Sequence, residues 1–259
     1  MPAAGAIPPP GVLLGAPSGG PGQRWARERR GRGWRVSLVT ARPQPIDGVE
    51  QVTLPPVARS SDGLWRGGAE RRASAALGPG IGQAHYVTAY GYLAGGGSDQ
   101  PLEMTAWGSD LLLTPRQNPL IARLTAWTLG RASLVTGDSR DLLDAARRLC
   151  PGVRAELIHW GVERARFAPV PWADKPGFEA VSLRSWEPNY RIDVILRAFA
   201  QVLAWRPDAR LHLLGGGGEE GRLRKLVDDL SLQDSVQFHG RLDDAGMAAV
   251  LARCKLSIS

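Results

Sequence analysis

The chain has 259 residues, of which 43% are hydrophobic, 22% charged and 7% aromatic, a globular balance that excludes disorder throughout and leaves room for one large domain or two modest ones. The net charge of +7 is almost wholly arginine in origin, because only Lys175, Lys225 and Lys255 among the 32 basic residues are lysines. Residues 1–72 hold 11 basic and 5 acidic residues and the other 187 hold 21 and 20, which excludes a uniformly basic nucleic-acid coat but leaves a basic N-terminal face.

Apolar β-type runs alternate with helical stretches almost from end to end, and that alternation predicts βαβ units with parallel sheets. A strand is expected at Gly11–Gly15, followed by a loop through Ala16–Gly22 and a short Arg-rich helix at Gln23–Arg32. Trp34–Thr40 and Val49–Leu54 read as strands, and residues 62–77 have helical composition. Ile81–Val87 and Pro101–Trp107 are expected as strands. Pro119–Leu129 carries a helical apolar face at 120, 121, 124 and 127. Ala132–Thr136 is a strand, Ser139–Leu149 a helix behind a cap-like Asp138-Ser139, and Glu156–Trp160 a last strand of this half.

Residues 167–177 contain three prolines and no periodic pattern, and they read as a linker. The pattern then restarts. Strands are expected at Phe178–Leu183, Arg210–Leu214, Val236–Phe238 and Leu256–Ser259, with helices at Ile192–Trp205, Glu219–Leu230 and Ala245–Ala252. Two similar α/β lobes are therefore expected: 1–168, then a linker at 169–177, then 178–259, the second lobe incomplete because it stops on an uncovered parallel strand. A cleft between two such lobes is a common place for a small-molecule site.

Cys150 and Cys254 stand far apart, and neither a CxxC pair nor a Cys/His cluster occurs, so no disulfide framework is expected and a reducing compartment is the simplest reading. His159, His212 and His239 lie on separate predicted strands and form no metal constellation in the sequence. No apolar run approaches the roughly 18–20 residues of a bilayer span. The Pro-rich start lacks a basic n-region, so it is not read as a signal peptide. A cytoplasmic chain is expected, with at most a peripheral contact at an anionic membrane surface.

Several segments carry chemistry. A strand running into Gly215-Gly216-Gly217-Gly218 and then a helix brings backbone amides and a positive helix end close to an anion, or is a plain surface loop. Arg184 follows a predicted strand end, where parallel sheets bind ligands, and its planar fork suits a diphosphate; an ordinary surface Arg is the other reading. In Trp107-Gly108-Ser109-Asp110 the carboxylate either accepts from a sugar hydroxyl or caps a helix. His85 closes another strand, as a catalytic group or a structural one. Ser18-Gly19-Gly20-Pro21-Gly22 is either an amide-presenting loop or a flexible turn. Walker A, GxSxG and paired-carboxylate patterns are absent, and the glycine run is not read as a dinucleotide fingerprint.

Taken in order, TAWGSDLLL (105–113), ASLVTGDSRDL (132–142), IHWGVERARFAP (158–169), SLRSWEPNYRIDVILRAF (182–199), LHLLGGGGEEGRLRKL (211–226) and VQFHGRLDDAGMAAVLARCKLSIS (236–259) resemble the retaining GT-B glycosyltransferases of family 4, in a WGSD-containing subgroup. QAHYVTAYGYLA (83–94) and RWARERRGRGWRVSLVT (24–40) fit as well. The resemblance implies two Rossmann-like lobes, acceptor on the first and nucleotide-sugar donor on the second, with no metal and no cofactor. It implies transfer of a sugar from a nucleoside-diphosphate sugar to a polysaccharide or lipid-linked acceptor. On that analogy the catalytic group is Arg184, Asp110 and His85. Gly19, Gly20, Arg184, Gly215, Gly216, Gly217, Gly218, Phe238, Gly240 and Arg241 bind the donor, while His85, Trp107, Gly108, Ser109 and Asp110 line the acceptor side.

Three departures from the family pattern stand out. Trp107 replaces a frequent His. Asn189 and Tyr190 stand where a Lys is usual, with Arg191 the nearest cation. The family's Glu-x7-Glu segment is expected only beyond Ser259. The alternative function is therefore a catalytically inactive fragment or binding module keeping the GT-B fold. Nucleic-acid binding through Arg24–Arg35 is disfavoured, since Trp25 and Trp34 are its only stacking aromatics.

Overall fold

The computed structural model describes residues 11–14, 20–41, 43–54, 72, 76–78, 80–97 and 100–259. The chain forms two compact units, Met1–Trp160 and Gly161–Ser259. Each is an α/β unit built on a wholly parallel sheet, as the alternation of elements predicts.

Among the described residues the first unit has seven strands: β1 (Gly11–Leu14), β2 (Val36–Thr40), β3 (Glu50–Thr53), β4 (Ile81–His85), β5 (Leu102–Thr105), β6 (Leu134–Gly137) and β7 (Ala155–Leu157). Their order in space is β3-β2-β1-β4-β5-β6-β7. The order reverses between β1 and β4, the crevice where open α/β sheets bind ligands beyond the strands' C-terminal ends. β2 is buried along its whole length, as a central parallel strand covered on both faces must be. The main core gathers Val39, Ala84, Met104, Val135 and Leu142.

Helix α1 (Gly20–Gly31) follows β1. The strand expected through Val87 stops at His85, because Tyr86 takes a left-handed backbone (φ 69°) and turns the chain into a π-helical stretch, Tyr86–Gly91, which runs on as α2 (Tyr92–Gly97). The sequence disguises this helix with four glycines. One of them, Gly91, has its missing Cβ position 3.4 Å from Thr128 Cγ2, so the small residue lets two helices close up. The short helix α3 (Ser109–Leu112) follows β5. Helix α4 (Pro119–Leu129) starts with Pro in the first turn, and the Asn118 side chain accepts from the Leu120 amide. Helix α5 (Arg140–Leu149) starts behind Ser139, which accepts from the Leu142 amide. The helix expected over 62–77 falls almost entirely outside the described residues.

The second unit orders β8 (Glu179–Ser182), β9 (Arg210–Leu214), β10 (Val236–Gly240) and β11 (Leu256–Ser257) as β10-β9-β8-β11, so the reversal lies between β8 and β11. Helix α6 (Ile192–Leu203), whose Ile192, Ile195, Leu196 and Phe199 are buried, and helix α7 (Glu220–Asp229) share one core with Leu211, Leu213 and Trp186. Helix α8 (Asp244–Arg253), capped by Asp243, contributes Met247, Val250 and Leu251 to a smaller cluster with Val181, Leu214 and Cys254. β10 runs two residues further than expected because a bulge between Phe238 and Gly240 keeps it paired with β9. No helix among the described residues is long and apolar enough to cross a membrane.

Candidate functional site

In the second unit the loops after β8, β9 and β10 meet. Gly215 takes φ 146°, and a Cβ there would lie 2.6 Å from the main-chain oxygen of Arg184, so glycine is required on both counts. A Cβ on Gly217 would lie 2.3 Å from the Trp186 carbonyl oxygen. That carbonyl accepts the Glu219 amide (3.0 Å), and the Trp186 amide donates to Gly216 O (3.1 Å). The indole of Trp186 is buried against Phe238, ring centroids 5.3 Å apart and nearly perpendicular, and it seats the turn from below.

The four glycine amides are not equivalent. Gly215 N–H donates to Gly240 O (2.8 Å), and Gly218 N–H donates to Glu187 Oε1 (3.1 Å). Those of Gly216 and Gly217 donate to nothing among the described residues. The opening of α7 lies directly behind them. Arg184 is exposed, its guanidinium carbon 5.8 Å from the centre of the Tyr190 ring, and it forms no ion pair among the described residues. Arg241, also exposed, has its Nε 3.4 Å from the missing Cβ of Gly216. Arg191, the cation nearest the expected Lys position, is instead bonded to Asp193 through Nε (3.1 Å) and a terminal nitrogen (3.3 Å). The structure therefore gathers Arg184, Gly215, Gly216, Gly217, Gly218, Phe238, Gly240 and Arg241 around one turn. Two unclaimed amides there, bordered by the Arg241 side chain and the backbone of Arg184, can bind an anion, and the exposed Arg184 fork belongs to the same loop. Glu187 was not anticipated; it places a carboxylate on the fourth amide.

In the first unit, His85, Trp107, Gly108, Ser109 and Asp110 come together beyond β4 and β5. Asp110 is fully buried. Its Oδ1 accepts the amides of Trp107 (3.0 Å) and Gly108 (2.9 Å), and its Oδ2 accepts those of Val87 (2.9 Å) and Trp107 (3.2 Å). Burial pushes its pKa up, and these backbone bonds oppose the shift. The carboxylate thus ties the turn after β5 to the π-helical turn after β4, and the Tyr86 and Ser109 hydroxyls make a second tie at 2.8 Å.

His85 is 2% exposed. Trp107 Nε1–H donates to its Nδ1 (3.3 Å), which puts the imidazole proton on Nε2, a buried donor with no partner among the described residues. Burial, and then the nearby Arg29 charge, lower its pKa to about 4, so the ring is neutral at neutral pH. Trp25 and Trp107 pack edge-on to it, both with centroids at 5.9 Å, and Trp160 stands 4.8 Å from Trp107. Trp25 and Trp160 escaped sequence reasoning because they come from distant segments. Gly19 lies outside the described residues, and Gly20 opens α1.

His212 Nδ1 and His239 Nε2 are 2.8 Å apart, although they fall on separate strands in the sequence. In the parallel pairing of β9 and β10 His212 stands opposite Gln237, and His239 falls at the irregularity between Phe238 and Gly240.

Residues 168–259 match the family described as glycosyl transferases group 1. The GDP-mannose-dependent monoacylated alpha-(1-6)-phosphatidylinositol monomannoside mannosyltransferase of Corynebacterium glutamicum is 43% identical over 108 residues, which cover 38% of this chain and 28% of that protein. Among solved structures, sucrose-phosphate synthase from Thermosynechococcus elongatus superposes with a TM-score of 0.77 at 18% identity, covering 96% of this chain and 74% of that one. A glycosyltransferase from Rickettsia africae gives 0.69 at 11% identity, covering 98% and 73%. At such identities the likeness concerns the fold, and the fold is that of GT-B glycosyltransferase structures.

Proposed function

We propose that this chain belongs to a glycosyltransferase that moves a sugar from a nucleoside-diphosphate sugar to a polysaccharide or lipid-linked acceptor, with retention of configuration. The observation that carries the reading is the convergence of Arg184 and the free Gly216 and Gly217 amides at the C-terminal ends of β8 and β9. Arg184 neutralises charge on the diphosphate as the bond to the sugar breaks, the amides hold its oxygens, and Arg241 supplies a second cation. Interactions that strengthen as charge develops lower the barrier. Phe238, Gly240 and Arg241 border the nucleotide. His85 Nε2–H offers a hydrogen bond on the acceptor side, and Trp107 with Ser109 shapes that side. No metal or cofactor takes part in this scheme.

The corynebacterial relative is named for GDP-mannose and a phosphatidylinositol monomannoside, which supports a GDP-sugar donor and a lipid-linked acceptor as the first pair to assay. A peripheral position at the anionic cytoplasmic face of a membrane suits such an acceptor. It is supported by the charge of residues 1–72 and by the exposed Leu120, Arg123 and Trp127 on one face of α4.

A second reading, a binding module without turnover, is favoured by the first unit. The Asp110 carboxylate is spent on backbone amides and His85 Nδ1 is taken by Trp107, so neither offers a free base. The test is incubation with GDP- and UDP-sugars and a lipid-linked glycan extract, followed by NMR of the product. A new linkage with the donor's anomeric configuration supports transfer. Nucleotide binding without product supports the module.

A further inference from the structure

We propose that Glu179, His212 and Cys254 form a binding site for one divalent transition-metal ion of the zinc class, with His239 as the partner that orients His212. The three donors come from separate elements: the first residue of β8, the middle of β9, and the residue just after α8. All three are buried, at 7%, 5% and 5% exposure, and their donor atoms lie within 4.8 Å of one another. An oxygen, an imidazole nitrogen and a sulfur suit zinc-like ions, whereas calcium and magnesium favour oxygen alone. Bonds of about 2.0–2.3 Å to such an ion set its donors roughly 3.3–3.8 Å apart, within reach of small side-chain rotations.

The surroundings are those of a supported site. Glu179 Oε1 is held by Arg253 (2.8 Å), which fixes the carboxylate and leaves Oε2 facing His212 Nε2 at 2.9 Å. His212 Nδ1 faces His239 Nε2 at 2.8 Å, the outer hydrogen bond that a metal-bound imidazole needs. The proton accounting closes. With metal absent, His212 Nε2–H donates to Glu179 and His239 Nε2–H donates to His212. With metal on Nε2, the His212 proton sits on Nδ1 and is donated to His239 Nε2, whose own proton has moved to Nδ1. One proton, that of the Cys254 thiol, leaves to solvent.

Ligands separated by 33 and 42 positions make the ion a cross-link between two strands and the end of α8. Glu179 begins β8 and Arg184 lies beyond its other end, so the three ligands lie away from the glycine turn, which the ion reaches only through His239 between Phe238 and Gly240; its role is structural.

The test is a Co2+ titration of the whole chain, read by absorption, with Zn2+ competition. One Co2+ per chain is expected, with a sulfur-to-cobalt charge-transfer band and tetrahedral d–d bands that Zn2+ abolishes; Zn2+ also raises the melting temperature. Cys254→Ser removes the charge-transfer band and Cys150→Ser leaves it intact. His239→Gln keeps the band and weakens affinity about 10–100-fold. Absence of the band, or its loss in Cys150→Ser with survival in Cys254→Ser, overturns the proposal. Should Cys254→Ser fail to fold, Glu179→Gln decides: a shifted d–d spectrum with at least a tenfold affinity loss supports the site, and an unchanged spectrum and affinity overturn it.

Discussion

The carbonyl oxygen of Trp186 stands 2.3 Å from where a Cβ on Gly217 would be, so the backbone of the loop after β8 is pressed against the glycine turn after β9. The obstructing atom is main chain and is itself bonded to the Glu219 amide, so it has no free direction in which to yield. Gly217→Ala is expected to cost about 1–3 kcal/mol, as overpacking does. Calorimetric unfolding checks the loss, and Gly221→Ala, inside α7 at a position with open space around it, is the control that keeps or raises stability.

Asp110 is expected to act through the backbone it holds. Asp110→Ala strands the buried amide of Val87, at roughly 1–3 kcal/mol, and the half-buried amides of Trp107 and Gly108 at less. Asp110→Asn, which keeps one acceptor oxygen, loses less. Chemical denaturation with both variants reads the order. Equal stability of wild type and Asp110→Ala would leave substrate contact as the residue's role.

His85 makes stability depend on pH in a defined window. Its folded pKa of about 4 lies below the ordinary 6.5, so between those values the unfolded chain binds a proton that the folded chain does not. Stability is therefore fully present above about pH 6.5 and falls as pH drops toward 4. This group's share of the loss is about 3 kcal/mol at most, with no further loss below. His85→Gln is expected to flatten that part of the stability–pH curve; a curve unchanged by the substitution contradicts the burial argument.

The exposed face of α4, with Leu120 at 71% and Trp127 at 49% exposure around Arg123, is expected to bind vesicles containing anionic lipid and to release them at high salt. Sedimentation with neutral and anionic vesicles measures it. Leu120→Gln with Trp127→Gln weakens binding severalfold, and equal binding to neutral vesicles contradicts the charge argument.

Much of this fold was legible because parallel strands announce themselves. Val36–Thr40 and Arg210–Leu214 are short apolar runs bounded by polar turns, and helix starts at Asn118, Ser139 and Asp243 carry side chains that cap. What escaped is non-local or disguised. Tyr86–Gly97 carries no helix expectation beyond the strand read through Val87, because its glycines hide a helix whose function is close packing. The grouping around the glycine turn was readable from strand ends, whereas Glu187 on the Gly218 amide was not, since nothing local in Trp186-Glu187-Pro188 marks a contact 31 residues away. His212 and His239 look unrelated until β9 and β10 are paired, which brings residues 27 positions apart into contact.

The most direct test of the donor site is calorimetric titration of GDP and UDP into the chain and into Arg184→Ala. The account predicts one-to-one binding of at least one nucleotide. Because Arg184 is exposed and forms no ion pair among the described residues, its removal should leave folding intact while weakening that affinity about 10–150-fold, the value of a charge-assisted contact of about 1.5–3 kcal/mol. Binding of equal strength in wild type and Arg184→Ala, or no binding of either nucleotide to the folded chain, would contradict it.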